Sequence, residues 1–161
     1  MGMELGLDKV AQEYVDVTAL TNPALHRLYA EWEARRRAPA FPARADFDPA
    51  EMRYIIGNLS LVDVRRHPLR FYFRVHATNI ATRTGFDMTH KFLDQYTDAT
   101  HRALILDHYL RAIDERRPIA ARRAHLFTDR MAMLDCESLA LPLATDGMNI
   151  DMLMTGFVWC D

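Results

Sequence analysis

The apolar pattern is most informative at the end of the chain, where residues 134–143 and 149–159 read as two strands joined across Thr145-Asp146-Gly147-Met148. Asp-Gly between two apolar runs marks a hairpin, because glycine supplies the positive φ that a tight turn needs. The second arm is apolar on both faces. Ile150, Met152, Met154 and Val158 share one face, and Leu153, Thr155, Phe157 and Trp159 share the other. A strand with one wet face alternates, whereas one that is apolar on both faces is covered on both. The pattern therefore puts the last strand at the centre of a sheet, with layers above and below it.

The earlier segments supply those layers. Residues 1–21 carry scattered apolar positions (Leu5, Leu7, Val10, Tyr14 and Val17) and predict an amino-terminal arm or short helix, set apart from a single domain over 22–161. Asn22 is a good N-cap and Pro23 fits a first helical position. From there Leu25, Leu28, Tyr29 and Trp32 follow helical spacing, so a helix with one apolar stripe runs to about residue 37, with Trp32 as a core anchor. Asp48-Pro49 with Glu51 three residues after the cap predicts a short helix to about Gly57. Residues 59–66 and 70–77 read as strands joined around His67-Pro68-Leu69. In the second, Phe71, Phe73 and Val75 share one face, and Tyr72, Arg74 and His76 the other. A short helical stretch ends near Gly85, and residues 86–96 are irregular. A long helix over 98–117 is stopped by Pro118; its stripe is Ala103, Leu106, Leu110 and Ile113, widened by Tyr109. A strand over 119–128 carries Arg122, Arg123 and His125 and leads into the closing hairpin. Two strands, a helical crossover and three more strands make an α+β antiparallel sheet. Its last strand is central only if it pairs with the first.

Composition narrows the function. Half of the 161 residues are hydrophobic and 26% are charged, which is globular, and one domain of this length buries a real core. A net charge of −2 with no basic stripe gives no reason to expect nucleic acid. No run is long enough to cross a membrane, and Asp8, Lys9, Glu13 and Asp16 interrupt any secretory core. Cys136 and Cys160 have no pairing pattern around them, so reduced thiols in a cytoplasm are expected. There is no nucleophile motif, phosphate-cradling loop or metal-ligand cluster. His101 and His108, seven apart on one helix, read as two half-exposed histidines, not as ligands.

The order of elements and several motifs resemble a PAS domain, and more closely the single-domain, bacterial PAS family common in alphaproteobacteria, a PAS-like family of unknown function. The motifs are Trp32-x-x-Arg35, Pro42-x-Arg44-Ala45-Asp46-Phe47-Asp48-Pro49, Phe71-x-Phe73-Arg74-Val75 followed by Thr78, Gly85-x-Asp87-x-Thr89, Arg117-Pro118, and Leu141-Pro142-Leu143-x-x-Asp146-Gly147. They cover about residues 22–159. Two positions depart from the family pattern: Ala77 and His90 stand where relatives usually have glycine.

The resemblance implies a five-stranded antiparallel sheet in the order 2-1-5-4-3. A helical crossover covers one face, and amino-terminal flanking helices cover the other face or a second subunit. It implies a non-enzymatic sensory or signalling module that acts through a protein partner, with homodimerisation through the amino-terminal helices. It places a small-molecule pocket between the sheet and the long helix, lined by some of Phe71, Phe73, Tyr109, Met152 and Met154. Arg74 is the sharper candidate, because a mid-strand arginine needs a partner. That partner is a ligand carboxylate or, in the better reading, a structural one among Asp63, Glu137 and Asp151. The cofactor is left open. Some PAS domains hold haem through a histidine on the long helix, which would be His101 or His108, but nothing else in the sequence supports it. Residues 78–89 lack the cysteine of a photochemical flavin site. The competing reading is a small α+β cleft enzyme of cyclase or isomerase type, which needs an inward acid–base pair such as Asp63 with His76 or Tyr109.

Overall fold

The computed structural model describes residues 10–38, 40–127 and 132–160. Its regular elements are β1 (Val10–Val15), α1 (Pro23–Arg35), β2 (Leu59–Arg65), β3 (Arg70–Val75), α2 (Thr78–Thr84), α3 (Ala99–Glu115), β4 (Ile119–Phe127), β5 (Ala132–Leu143) and β6 (Met152–Trp159). The six strands form one antiparallel sheet in the order β1-β4-β5-β6-β2-β3. Apart from β1, this is the expected 2-1-5-4-3 arrangement. The expected central strand is central: β6 pairs with β5 through Leu139–Gly156 and with β2 through Leu61–Met154, and all but its last residue are buried.

Both faces are roofed by the chain itself. On one face α1 begins at the Asn22 cap, whose side chain accepts the Ala24 N–H at 2.8 Å, and buries Leu25, Leu28 and Trp32. It comes so close to the central strand that a Cβ on Gly156 would lie 2.7 Å from Leu25 Cδ2 and 2.9 Å from Leu28 Cδ2. The Trp32 Nε1–H donates to the Pro142 carbonyl at 2.8 Å. Of the two places offered for the Trp32 helix, the structure takes the sheet of its own chain.

On the other face α3 buries His101, His108, Tyr109 and Ala112, with Ile105 partly buried against the core. These positions keep helical spacing, but the buried stripe is turned from the expected one: Ala103 and Leu106 are exposed. The two histidines are therefore interior and not half-exposed, His101 at 2% and His108 at 0%.

Three other segments differ from expectation. Residues 10–15 form an edge strand on β4 where a short helix or arm was anticipated; Leu5 and Leu7 lie outside the described residues. The short helix after Asp48 shrinks to 3-10 turns at Pro49–Glu51 and Ile56–Asn58. Asp48 caps the first through Ala50, but Met52 and Ile55 turn inward and the chain must reach β2 within a few residues. The closing connection spans eight residues between β5 and β6, with Gly147 at φ +84 as its left-handed position.

The two departures from the family pattern have structural consequences. His90 adopts φ +64, the left-handed conformation that glycine takes without cost, and its ring stacks at 6.4 Å on Tyr72. Ala77 caps α2 with ordinary extended backbone, and it packs with Ile80, Cys136 and Phe157.

Candidate functional site

A cavity of about 40 Å³ lies between α3 and the sheet. Its floor is built by strand register. Ser60 on β2 faces Thr155 on β6, which faces Ala140 on β5. In the next row Phe157 faces Ser138, which faces Ala121 on β4; in the row beyond, Trp159, Cys136, Arg123 and Gln12 are aligned across four strands. Ser60, Thr155, Phe157, Ser138 and Arg123 all line the cavity, and α3 closes it with His101, Ile105 and Tyr109.

His76 reaches the cavity because the β2–β3 register shifts: Val62 faces Phe73, while Leu61 faces Val75. Arg74 is the extra residue. Phe73 stays under α3, Val75 turns to the α1 side, and His76 returns to the cavity wall, so strict alternation fails at this point.

The polar groups of the cavity are held firmly. Ser60 Oγ accepts the Ala77 N–H at 2.9 Å, and His76 Nδ1 accepts the Met88 N–H at 3.1 Å. Tyr96 Oη and His101 Nδ1 are 2.8 Å apart. Burial raises the Tyr109 hydroxyl to about 12, and its oxygen is hydrogen-bonded by Thr155. His108, behind the wall, donates from Nε2 to the Ile119 carbonyl at 2.8 Å and accepts from Arg123 Nη2 at 3.2 Å on Nδ1. Gln12 Oε1 accepts from Arg123 Nε, while its amide donates to the Leu104 carbonyl of α3 at 2.9 Å.

Burial lowers the His108 ring to about 3, helped by the Arg123 charge, and lowers His76 to about 4 against a smaller opposing pull from Asp87. Both depart downward from 6.5, so between these values the unfolded chain binds protons that the folded chain does not. Their contribution to stability is complete above about pH 6.5 and is lost as pH falls toward 4 and then 3. The urea midpoint is expected to fall between pH 6.5 and 4.5, before most carboxylates protonate. His108→Gln, which can keep both hydrogen bonds, is expected to flatten that limb. An unchanged slope in this variant would count against a neutral interior His108.

Of the five residues singled out for a ligand pocket, Phe73 and Tyr109 line this cavity. Arg74, Met152 and Met154 lie on the opposite face of the sheet. Arg74 forms a two-pronged ion pair with Asp63, at 3.2 and 2.9 Å, which is the structural partner preferred from sequence. Met154 lines an apolar groove with Phe47, Met52 and Val75, and Met152 lies beside Asp63 and Arg74. Phe71 packs on Tyr109 at 5.4 Å but outside the cavity lining. The acid–base pair of an enzyme is not assembled, because Asp63 is held across the sheet from His76 and Tyr109.

Sequence reasoning missed Ser60, Arg123, Ser138 and Thr155 as a group. Arg123 alone carried a signal, being a charged residue amid alanines on a strand apolar enough to be buried.

Haem does not fit this site. His108 has both ring nitrogens engaged, and 40 Å³ is far below the roughly 300–1,000 Å³ of organic-ligand pockets. Among the described residues no group of three His, Cys, Asp or Glu side chains could hold a metal ion, and no helix is long and apolar enough to cross a membrane. Cys136 sits one strand from Arg123 and is fully buried, which pushes its thiol up to about 12, whereas Cys160 is exposed. A thiol reagent is expected to modify Cys160 rapidly and Cys136 only on unfolding. Two fast equivalents would show that the α2 side of the sheet is open.

The chain matches the family described as PAS domain over residues 20–158. No curated protein and no solved structure matches it.

Proposed function

The chain belongs to the PAS domain family, whose members are in general sensory and signalling modules, and on that premise we propose that it takes a small ligand into the cavity under α3 and passes the result on through protein contacts along β1. The observation that carries this reading is Gln12. This one side chain on the edge strand holds a guanidinium in the cavity wall and the backbone of the helix that closes the cavity. A ligand that moves Arg123 or α3 is therefore felt at β1 without any intermediate.

β1 is also a surface that a partner can use. Its inner side pairs with β4, and its outer side has no strand beside it among the described residues. Such an edge offers unpaired backbone groups to another chain. The opposite edge, β3, already exchanges backbone hydrogen bonds with residues 90 and 91. The apolar stripe of α1 is buried on its own sheet, so a homodimer would form along β1 and not on that stripe. The reading is non-enzymatic, since Asp63 is engaged by Arg74 away from the cavity. It places the protein in a cytoplasm, where two unlinked cysteines persist.

Backbone amide spectra of the labelled full chain, titrated with a panel of small fragments, test the proposal. A binder is expected to shift Ser60, Tyr109 and Ser138 together with Gln12 and its neighbours on β1. Shifts in the cavity without any at β1 would remove the output route, and a panel that leaves the cavity untouched would remove the ligand. Light scattering is expected to give the mass of two chains.

A further inference from the structure

Arg123 is 3% exposed, yet the groups its guanidinium meets are neutral: it is hydrogen-bonded to Gln12 and to the His108 ring, and the Phe157 centroid is 5.9 Å away. No described carboxylate pairs with it. By contrast the neighbouring Arg122 meets Glu137, and Arg74 meets Asp63. A buried cation without a counter-ion is costly, and natural interiors pair such charges or expose them to a ligand. The wall around it has one electrostatic character. No aspartate or glutamate lines the cavity.

Donors line it instead. Ser138, 3% exposed, presents its hydroxyl to the cavity wall. Register makes it a diagonal neighbour of Arg123: Arg123 faces Cys136, and Ser138 faces Ala121 on the same face of the sheet. Ser60 accepts the Ala77 N–H and keeps its own O–H to give. His76 accepts the Met88 N–H on Nδ1, so its neutral ring carries the proton on Nε2. Size completes the picture. A volume of about 40 Å³ holds about three water-sized centres, given 10–15 Å³ for each.

We propose that this cavity is a site for a compact carboxylate of formate or acetate size, gripped by Arg123 and hydrogen-bonded by Ser138. The assignment rests on the reading of the cavity as the ligand chamber and adds the charge, shape and size of the ligand. The planar guanidinium fork matches a planar carboxylate. Uncharged molecules of the same size leave the guanidinium without a counter-ion.

The test titrates the labelled full chain with formate and acetate, and with acetamide as the uncharged counterpart, at fixed ionic strength. The carboxylates are expected to shift the Ser60, Arg123 and Ser138 amides saturably, with acetamide at least tenfold weaker. Arg123→Gln is expected to lose at least tenfold in acetate affinity. If that variant gives no folded spectrum, Ser138→Val serves in its place: it fills the cavity while leaving the cation, and must weaken acetate to a similar extent. Acetamide binding as tightly as acetate, or unchanged acetate affinity in a folded variant, overturns the assignment. Neutral fragments entering the cavity while both carboxylates stay out overturn it and leave the ligand chamber standing. A cavity that takes no molecule at all overturns both.

Discussion

Trp32→Ala is expected to destabilise the protein by about 3–5 kcal/mol, the range for removing a buried indole from a core, and to lower the melting temperature by on the order of 10 °C. Trp32 is fully buried and stacks on Tyr29 with ring centroids 6.4 Å apart; it also lies against Phe41 at the same centroid distance. Its loss leaves a cavity and a second deficit, since the Pro142 carbonyl it satisfies at 2.8 Å would have no donor in an interior that water does not reach easily. Trp32→Phe separates the two, because it restores much of the volume and none of the hydrogen bond. Urea unfolding of the two variants measures both. A loss under 1 kcal/mol for Trp32→Ala would mean that α1 does not cover the sheet as described.

The second large effect is expected at the opposite end of the same helix. Glu137 stands on β5 with its side chain 2% exposed, and its carboxylate receives the Thr21 and Asn22 N–H groups and the Thr21 hydroxyl, all at 2.9–3.0 Å. Arg122 approaches from outside at 3.4 Å. Asn22 is the N-cap of α1, so this one carboxylate fixes where the helix starts over the sheet. Glu137→Ala leaves two part-buried backbone donors at the start of α1 without their acceptor and is expected to cost about 2–3 kcal/mol. Glu137→Gln keeps one acceptor oxygen and is expected to fall between the variant and the native chain.

The same group governs acid stability. Burial alone would raise the Glu137 carboxyl, but the donors of Thr21 and Asn22 outweigh it and hold the group below its ordinary 4.5. Its contribution is therefore complete above about pH 4.5 and is lost as pH falls through the lower folded value. Glu137→Gln should abolish that part of the acid transition, leaving the histidine limb between pH 6.5 and 4.5. Because Trp32 and Glu137 pin the two ends of one helix, the double variant is expected to lose less than the sum of the two single losses.

The architecture was legible wherever burial on two faces leaves a pattern along one strand. The run from Met152 to Val158 is apolar on both faces and so reads as central, whereas the strand order 2-1-5-4-3 came from the resemblance to the PAS family. The edge strand was not legible. Val10, Tyr14 and Val17 fit a helical spacing as well as an extended one, and Gln12 and Glu13 give an edge strand none of the apolar density of an interior strand. The cavity was half legible. Phe73 and Tyr109 announce themselves as large apolar positions, but Met152 and Met154 belong to the α1 side, which alternation alone cannot name without knowing which layer lies where. His76 was hidden by the shifted register at Arg74, which swaps the faces of the residues beyond it. Ser60, Thr155 and Ser138 come from three different strands and meet only through pairing, so no local window contains them. The rule that singled out Arg74, that a charge within an apolar strand needs a partner, applies with more force to Arg123. Arg74 has its carboxylate and is largely exposed; Arg123 has none and is enclosed.

The stretch that matches the family begins at residue 20, eight positions downstream of Gln12. Excision at that boundary would delete the amide that bridges the Arg123 guanidinium and the Leu104 carbonyl, and with it the outermost strand of the sheet. A fragment defined by similarity alone would thus carry a damaged chamber, and a weak titration obtained with it would describe the cut and not the molecule.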